Sequence, residues 1–267
     1  MRGVRSLLLW LSLVLLMTGP AVAQLITNED GDQPITVEST NGIEWVRDGK
    51  MYIARGNAVA TRGDVTVRGD TLTALYRDKP SGGTEIFRIE ANGSVVITTP
   101  QERAVADRAV YDLDQAVVIL LGDGLKFTSG EDVITATDSL EYWRDRNIAV
   151  ARGDAVAVRE AQRIRSDTMT AYFEESPTGG QQISRVDALG DVVITTPQDV
   201  ARGDEAVYTA SERTATLSGD VRITRGDNQL NGDRAVVNLE TGISRLLSGK
   251  DSGGRVKGLF NPGEVQK

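Results

Sequence analysis

The sequence contains no cysteine and no histidine in its 267 residues. Without cysteine the fold cannot be held by disulfide bonds, so it depends on its hydrophobic core and its backbone ladders. Without histidine the chain lacks the commonest general base, the histidine-containing nucleophile triads and the usual ligands of zinc and iron sites. These absences argue against most metal-dependent and nucleophilic enzymes, and we expect neither a bound metal nor a cofactor.

Aromatic residues are also scarce, at 5% of the chain, although 40% of the residues are hydrophobic. The apolar residues are mostly valine, alanine, leucine and isoleucine, whose small or branched side chains suit a core built from β-sheets. Acidic residues outnumber basic ones by 38 to 30, which gives a formal charge of −8. Nucleic-acid binding is therefore disfavoured, because neutralising phosphates requires a basic surface.

Only one long apolar run is present, Leu7–Met17, which follows Arg2 and Arg5 and precedes small residues that end at Ala23. This order is typical of a secretory signal peptide over residues 1–23, with cleavage after Ala23. The alternative, a membrane anchor, would need about 20 apolar residues to span a bilayer. We therefore expect an exported, soluble protein with a formal charge of −10, since 28 basic residues remain against 38 acidic ones.

The heptapeptide VVITTPQ occurs twice, at residues 95–101 and 192–198. The same offset of 97 residues aligns Pro80 with Pro177 and the AVY at 109–111 with the AVY at 206–208. An ungapped alignment over most of the mature chain indicates a tandem duplication and one repeat architecture. We place the two units at about 43–139 and 140–236, inside one β domain over 24–250 that is followed by a terminal strand and tail at 251–267.

Within each unit, glycines recur with an aspartate at a nearly constant spacing after them, from Gly56 with Asp70 to Gly219 with Asp233. Segments such as DVTVRGD and DVRITRGD alternate apolar and polar residues between Gly-Asp turn signals, which predicts half-buried strands. No segment after the signal peptide sustains a helical apolar pattern. The sequence therefore predicts an all-β fold of about 15–18 antiparallel strands.

The repeated glycines and aspartates allow other interpretations. The tripeptide RGD occurs five times and could mark an integrin ligand, but turn chemistry explains it better, since glycine supplies positive φ and aspartate bonds its own backbone at strand ends. Calcium β-rolls need a nine-residue cadence, which the spacing does not show. A carboxylate pair for sugar cleavage stays open, although no acidic residue stands out from its copies in the other modules.

A resemblance to a known family rests on three features in order. After the signal peptide come the segment DQPITVES at 32–39, modules of the form ARGNAVATRGDVTVRGDTLTALY, and a closing GGRVKGLFNP at 253–262. Together they resemble the LptA/OstA family of periplasmic lipopolysaccharide-transport proteins. The usual member of that family has a single jelly-roll core, whereas this chain carries the 97-residue unit twice.

The resemblance implies an elongated, twisted β-jelly roll of two stacked antiparallel sheets, built from tandem OstA-like repeats around an apolar groove. It implies a periplasmic protein that performs no covalent chemistry, shields the acyl chains of lipopolysaccharide and passes them from the inner to the outer membrane. The partners it implies are an inner-membrane LptC-like jelly-roll protein at the N-terminal strands, an outer-membrane LptD-like assembly at the C-terminal strands, and further copies joined head to tail.

Eight residues are candidates for lipid contact. Two belong to the opening segment, three match the family's aromatic-then-leucine strand or its repeat, and three are placed on an apolar face by alternation alone. For each of them the alternative is a sealed core side chain without a ligand. The candidates are Ile35, Val37, Val67, Tyr111, Leu113, Phe127, Tyr208 and Ile223.

Two other functions remain open from the sequence. An LptC-like membrane-anchored partner, or another envelope lipid-binding scaffold of the same fold, would share the strand pattern, and the anchored form would retain its N-terminal apolar segment. A polysaccharide-acting β-helix enzyme would instead need a cleft with two carboxylates spaced for acid and base work.

Overall fold

The computed structural model describes residues 34–177, 180–238, 241, 243–248 and 255–259. The predicted signal peptide at 1–23 lies outside these residues, as does most of the predicted tail at 251–267. The chain divides into two compact units, one up to Gly153 and one from Asp154 onward. The boundary lies inside a strand, β11 (Ile148–Arg159).

The described part of the first unit consists almost entirely of strands. Its one helical element is a single 3-10 turn at Arg144–Arg146. The strands that precede β11 are β1 (Thr36–Glu38), β2 (Ile43–Val46), β3 (Met51–Arg62), β4 (Val65–Asp78), β5 (Thr84–Thr98), β6 (Glu102–Asp112), β7 (Val117–Leu121), β8 (Leu125–Ser129), β9 (Asp132–Ala136) and β10 (Ser139–Trp143).

The second unit continues the pattern with seven strands among its described residues. They are β12 (Gln162–Glu175), β13 (Gln181–Thr195), β14 (Asp199–Thr209), β15 (Thr214–Arg225), β16 (Asn228–Asn238), β17 (Ser244–Leu247) and β18 (Lys257–Leu259). Neighbours from β12 to β16 pair in chain order and antiparallel, and β17 and β18 both pair with β16. The predicted all-β antiparallel fold is confirmed.

The long strands are bent at regularly placed β-bulges. In β5 the register shifts between Asn92 and Val95, and in β13 it shifts between Leu189 and Val192. Each shift spans a glycine with positive φ, Gly93 at 77° and Gly190 at 79°, a conformation that a residue with a Cβ adopts only at a cost. Because a bulge bends its strand, bulges at matching places divide each long strand into two halves.

The two halves of the strands face each other across a common interior. In the second unit, one core cluster joins Ala188, Leu217 and Ala235 from one half to Val192 and Val221 from the other half. The strand halves therefore form two layers around one core. The predicted pair of facing sheets is made by the same long strands, each of which passes through both layers.

In the first unit some of these long strands are replaced by two shorter ones. Strands β1 and β2 both pair with β3, and β7 and β8 both pair with β6, on different halves of that strand. The turn between β7 and β8 contains one residue more than the matching bulge of β15. Consequently Phe127 and Ile223 hold the same place opposite Ala104 and Ala201, although their separation is one residue short of the repeat length. The ungapped repeat predicted from the sequence is wrong beyond this point.

The RGD tripeptides occupy two kinds of position. Gly63 and Gly226 lie in the tight turns between β3 and β4 and between β15 and β16, as the turn interpretation predicts. Gly69, Gly153 and Gly203 instead lie inside strands β4, β11 and β14. For these three the assignment to strand ends is wrong.

Candidate functional site

An apolar cavity lies between the two layers of the second unit. Its volume is about 90 Å³, well above the roughly 10–15 Å³ that a single water requires. Apart from Tyr208 and Thr216, its lining residues are small and branched apolar ones. The lining residues are Ile164, Val186, Ala188, Ile194, Ala201, Ala206, Val207, Tyr208, Ala215, Thr216, Leu217, Ile223, Ala235 and Val237.

The lining is built from rows of directly opposed residues, one from each successive strand. One row, in the layer that contains the hairpin turns after β13 and β15, consists of Ile164, Ile194, Ala201, Ile223 and Leu230. A second row, in the facing layer, consists of Ala171, Val186, Tyr208, Ala215 and Val237. Since opposed residues on a sheet point to the same face, each row presents a continuous apolar strip to the interior.

The first unit contains the corresponding rows. One consists of Val37, Ala60, Val67, Ile97, Ala104, Phe127 and Ile134. The other consists of Tyr52, Ala74, Ile89, Tyr111, Val118 and Tyr142. The duplicated heptapeptide supplies a core segment to each unit, because Val95 and Val192 are fully buried and Ile97 and Ile194 belong to the rows.

Tyr208 places a polar atom inside this apolar setting. The residue is only 4% exposed, and its buried hydroxyl has no hydrogen-bond partner among the described residues. Burial raises the pKa of the Tyr208 phenol, while the charge of Arg213 acts in the opposite direction. Burial likewise raises the pKa of Tyr111, its counterpart in the first unit. Both phenols are therefore neutral at physiological pH.

An ion pair continues the first row toward the strand ends. Asp199 and Arg225 are directly opposed on β14 and β15, two residues beyond Ala201 and Ile223, and they face the same interior side. Arg225 donates from Nε to Asp199 Oδ1 over 2.6 Å and from Nη2 to Oδ2 over 2.5 Å. The side chains are 27% and 13% exposed, so a bidentate, mostly buried charge pair adjoins the cavity.

The structure brings two of the eight predicted residues, Tyr208 and Ile223, to the same cavity. Val37, Val67, Phe127 and Tyr111 belong to the rows of the first unit, where the last three are partly buried. The remaining two lie at strand ends, Ile35 just before β1 and Leu113 just after β6. Ile35 is 48% exposed and Val37 is 38% exposed. Lipid contact stays a prediction for all eight.

Most of the lining was not identified from the sequence. The repeat offset of 97 residues carries the candidate Val67 to Ile164, so the repeat could have extended the prediction to one further residue of the row. The alanines of the lining give no such signal, because alternation alone does not separate a cavity wall from a filled core. Asp199 and Arg225 were missed as well, since charged residues at strand ends are usually solvated.

The described residues contain no group of three or more acidic side chains arranged to hold a metal ion. Among them there is also no helix of the length and apolar character needed to cross a membrane. Continuous strands bent around a carbon-lined cavity define a β-jelly-roll protein with an apolar interior.

The family described as LptA/(LptD N-terminal domain) LPS transport protein matches residues 37–142 and again residues 134–243. Because the two matches together cover most of the chain, this protein belongs to that family. Its members are transport proteins and not enzymes.

The individual proteins that are similar to this chain include a bacterial relative and a solved structure. An uncharacterized protein of Rhizobium meliloti (strain 1021) is 26% identical over 106 residues, which are 38% of this chain and 56% of that protein. The chain thus spans about half the length of this relative. The crystal structure of LptH, the LptA-homologous periplasmic component of the lipopolysaccharide transport device of Pseudomonas aeruginosa, matches with 14% identity. That match covers 87% of this chain and 99% of LptH, with a TM-score of 0.23. Family membership therefore rests on the two family matches.

Proposed function

We propose that this protein is a periplasmic carrier that shields the acyl chains of lipopolysaccharide between its two layers during transport from the inner to the outer membrane. The observation that carries the proposal is the apolar cavity, with its strip of Ile164, Ile194, Ala201 and Ile223 from four successive strands. Membership in a lipopolysaccharide-transport family supplies the ligand class.

The physical need for such a cavity follows from the hydrophobic effect. Each methylene group gains about 0.8 kcal/mol on leaving water, so one acyl chain of about twelve methylenes gains on the order of 10 kcal/mol from a shielded position. Free diffusion of such a lipid across an aqueous compartment is negligible. A protein interior of valine, isoleucine, leucine and alanine lowers that barrier without any covalent step.

The volume of the cavity sets a condition on this mechanism. At about 90 Å³ it is smaller than the apolar cavity of about 150 Å³ that holds a benzene molecule. A complete acyl chain therefore requires that the two layers separate, or that the chain extends along the rows beyond the cavity. The many alanines of the lining make separation inexpensive, because little packed surface is lost when small side chains move apart.

Partners at the two ends of the chain complete the proposal. The first strands expose Ile43 and Trp45, each 55% exposed, and β18 exposes Leu259 at 60%. Short strands with apolar side chains suit β-augmentation, in which a partner adds its own strand to the sheet. We assign the N-terminal strands to an inner-membrane LptC-like protein, the C-terminal strands to an outer-membrane LptD-like assembly, and both to head-to-tail contacts between copies.

Photocrosslinking inside cells tests the cavity. A photoreactive phenylalanine analogue replaces Ile223, and in a matched control it replaces Arg222, the next residue on the same strand, which is exposed on the opposite face. Adducts are purified and probed for lipopolysaccharide. We expect labelling at 223 and little at 222. Equal labelling at the two positions would contradict the assignment of the cavity to lipid.

A further inference from the structure

The Asp199–Arg225 pair is not explained by the needs of the fold. In the first unit, Glu102 holds the place of Asp199, and the residue opposite it, which matches Arg225, is Ser129. The Ser129 hydroxyl donates to Glu102 Oε1 over 3.3 Å. At the corresponding position of the first unit, an uncharged residue therefore takes the place of the arginine.

Stability does not explain the pair either. Removing two charges from water is costly, and apolar residues of similar volume in place of such a pair often leave stability unchanged or raise it. The neighbouring inward positions, Ala201 and Ile223, are apolar. A guanidinium kept beside a carbon-lined cavity therefore indicates a role in binding, because its planar fork matches the geometry of carboxylate and phosphate groups.

We propose that Arg225 binds the anionic headgroup, a phosphate, of an amphiphile whose hydrocarbon occupies the adjoining cavity. This inference rests on the proposed function and adds a headgroup subsite to it. In the lipid-free protein the Asp199 carboxylate occupies the place of the ligand's oxygens, since it already makes the bidentate contact that a phosphate would make. Headgroup and carboxylate compete for one guanidinium, so Asp199 weakens binding and eases release.

A second polar group lies at the same edge of the cavity as the Asp199–Arg225 pair, toward the strand ends. Gln162 precedes Ile164 of the lining on β12, and its buried Oε1 has no hydrogen-bond partner among the described residues. Strand β12 is two strands away from β14, a distance of about 10 Å. A buried acceptor without a donor suits a ligand hydroxyl. This edge of the cavity therefore combines a cation that can bind phosphate with an acceptor that can bind hydroxyl groups. A phosphorylated glycolipid contains both kinds of group.

Binding of two amphiphiles with the same tail separates the subsite from the cavity. Dodecyl phosphate and dodecyl maltoside are titrated against the full chain, its Arg225→Gln and Asp199→Asn variants and the double variant. Arg225→Gln should weaken the binding of dodecyl phosphate by at least about tenfold, which corresponds to the loss of one charge-assisted hydrogen bond. Asp199→Asn should tighten it several-fold, because the competing charge is gone. Dodecyl maltoside should bind all four proteins alike.

The outcomes are distinguishable from a failure of the proposed function. If the wild-type protein binds neither amphiphile, the lipid cavity itself is wrong. If both amphiphiles bind but Arg225→Gln leaves the preference for dodecyl phosphate unchanged, the headgroup subsite is wrong. It is also wrong if Asp199→Asn weakens the binding of dodecyl phosphate. Inorganic phosphate that binds as tightly as dodecyl phosphate would show a free-anion site. Should Arg225→Gln alone unfold the protein, the double variant, which has no unpaired buried charge, carries the test and should lose the preference.

Discussion

The carboxylate of Asp70 on β4 lies directly against Gly93, the bulge glycine of the neighbouring strand β5. A Cβ at Gly93 would overlap the carboxylate and the β-carbon of Asp70. The same contact recurs at four further glycines of positive φ, so in five places an aspartate covers such a glycine. The other pairs are Asp107 with Gly122, Asp138 with Gly153, Asp167 with Gly190, and Asp204 with Gly219.

Replacing Gly190 with alanine should destabilise the protein for two reasons. Its φ of +79° disfavours any residue with a Cβ, and the added carbon would overlap Asp167. We expect the free energy of unfolding in urea to fall by about 2–4 kcal/mol, of which about 1–2 kcal/mol comes from the backbone conformation. Gly83→Ala is the matched control, because Gly83 has a φ of +82° with nothing within 4 Å of an added Cβ.

The difference between these two variants measures the overlap. Equal losses of unfolding free energy in Gly190→Ala and Gly83→Ala would show that Asp167 moves aside without an energetic cost. A Gly190→Ala, Asp167→Ala double variant should recover part of the difference, because the smaller side chain leaves room for the new carbon.

These contacts show what the sequence spacing could and could not provide. The regular spacing between each glycine and the aspartate that follows it, as in Gly56 and Asp70, predicted the strands and their approximate number, because in most pairs the glycine lies on one strand and the aspartate on the next. The contacts themselves join other partners, Asp70 to Gly93 and Asp107 to Gly122, at separations along the chain of either 23 or 15 residues. Periodicity along one chain does not reveal which neighbouring strand a side chain covers, since that depends on the antiparallel register.

Removing the hydroxyl from two buried tyrosines should change the free energy of unfolding in opposite directions. The Tyr76 hydroxyl accepts a hydrogen bond from Trp45 Nε1 over 2.8 Å, whereas the hydroxyl of Tyr208 has no partner among the described residues. Tyr76→Phe should lower the free energy of unfolding by about 1 kcal/mol. Tyr208→Phe should raise it by about 1 kcal/mol in the lipid-free protein, because a desolvated donor is removed. Urea unfolding of both variants checks the pair, and a loss of stability in Tyr208→Phe would contradict the unpaired hydroxyl.

The candidate site was predictable only in part. Strand alternation and the family pattern identified Tyr208 and Ile223, which the structure places on facing layers of one cavity. The same reasoning could not separate them from Val67 or Phe127, because inward-facing residues of a bent sheet look alike in sequence whether the space beside them is filled or empty. Whether a cavity forms depends on the combined size of the side chains that face each other from several strands, and the sequence of one strand gives the size of only some of them.

Glu141 provides a test of stability against pH within the first unit. Its side chain is 10% exposed, and it accepts hydrogen bonds from Trp143 Nε1 at 2.9 Å and from Ser139 Oγ and Arg152 Nε at 2.8 Å each. Burial acts to raise the pKa of Glu141, but these three hydrogen bonds together prevail and lower it. A lowered folded-state pKa contributes stability above the unfolded value of about 4.3, and that stability is lost as pH falls through the folded value.

Glu141→Gln should therefore lower the free energy of unfolding by about 2 kcal/mol at pH 7, because one oxygen of the carboxylate becomes a donor that faces other donors. The difference from the wild-type protein should shrink as pH falls below the unfolded value of about 4.3 and the wild-type carboxyl becomes protonated. Glu44→Gln is the control, since Glu44 is 54% exposed and its ion pair should contribute less than about 1 kcal/mol. Urea unfolding at several pH values supplies the measurement, and a difference for Glu141→Gln that stays constant with pH would mean that the wild-type carboxylate is not stabilised by its three donors.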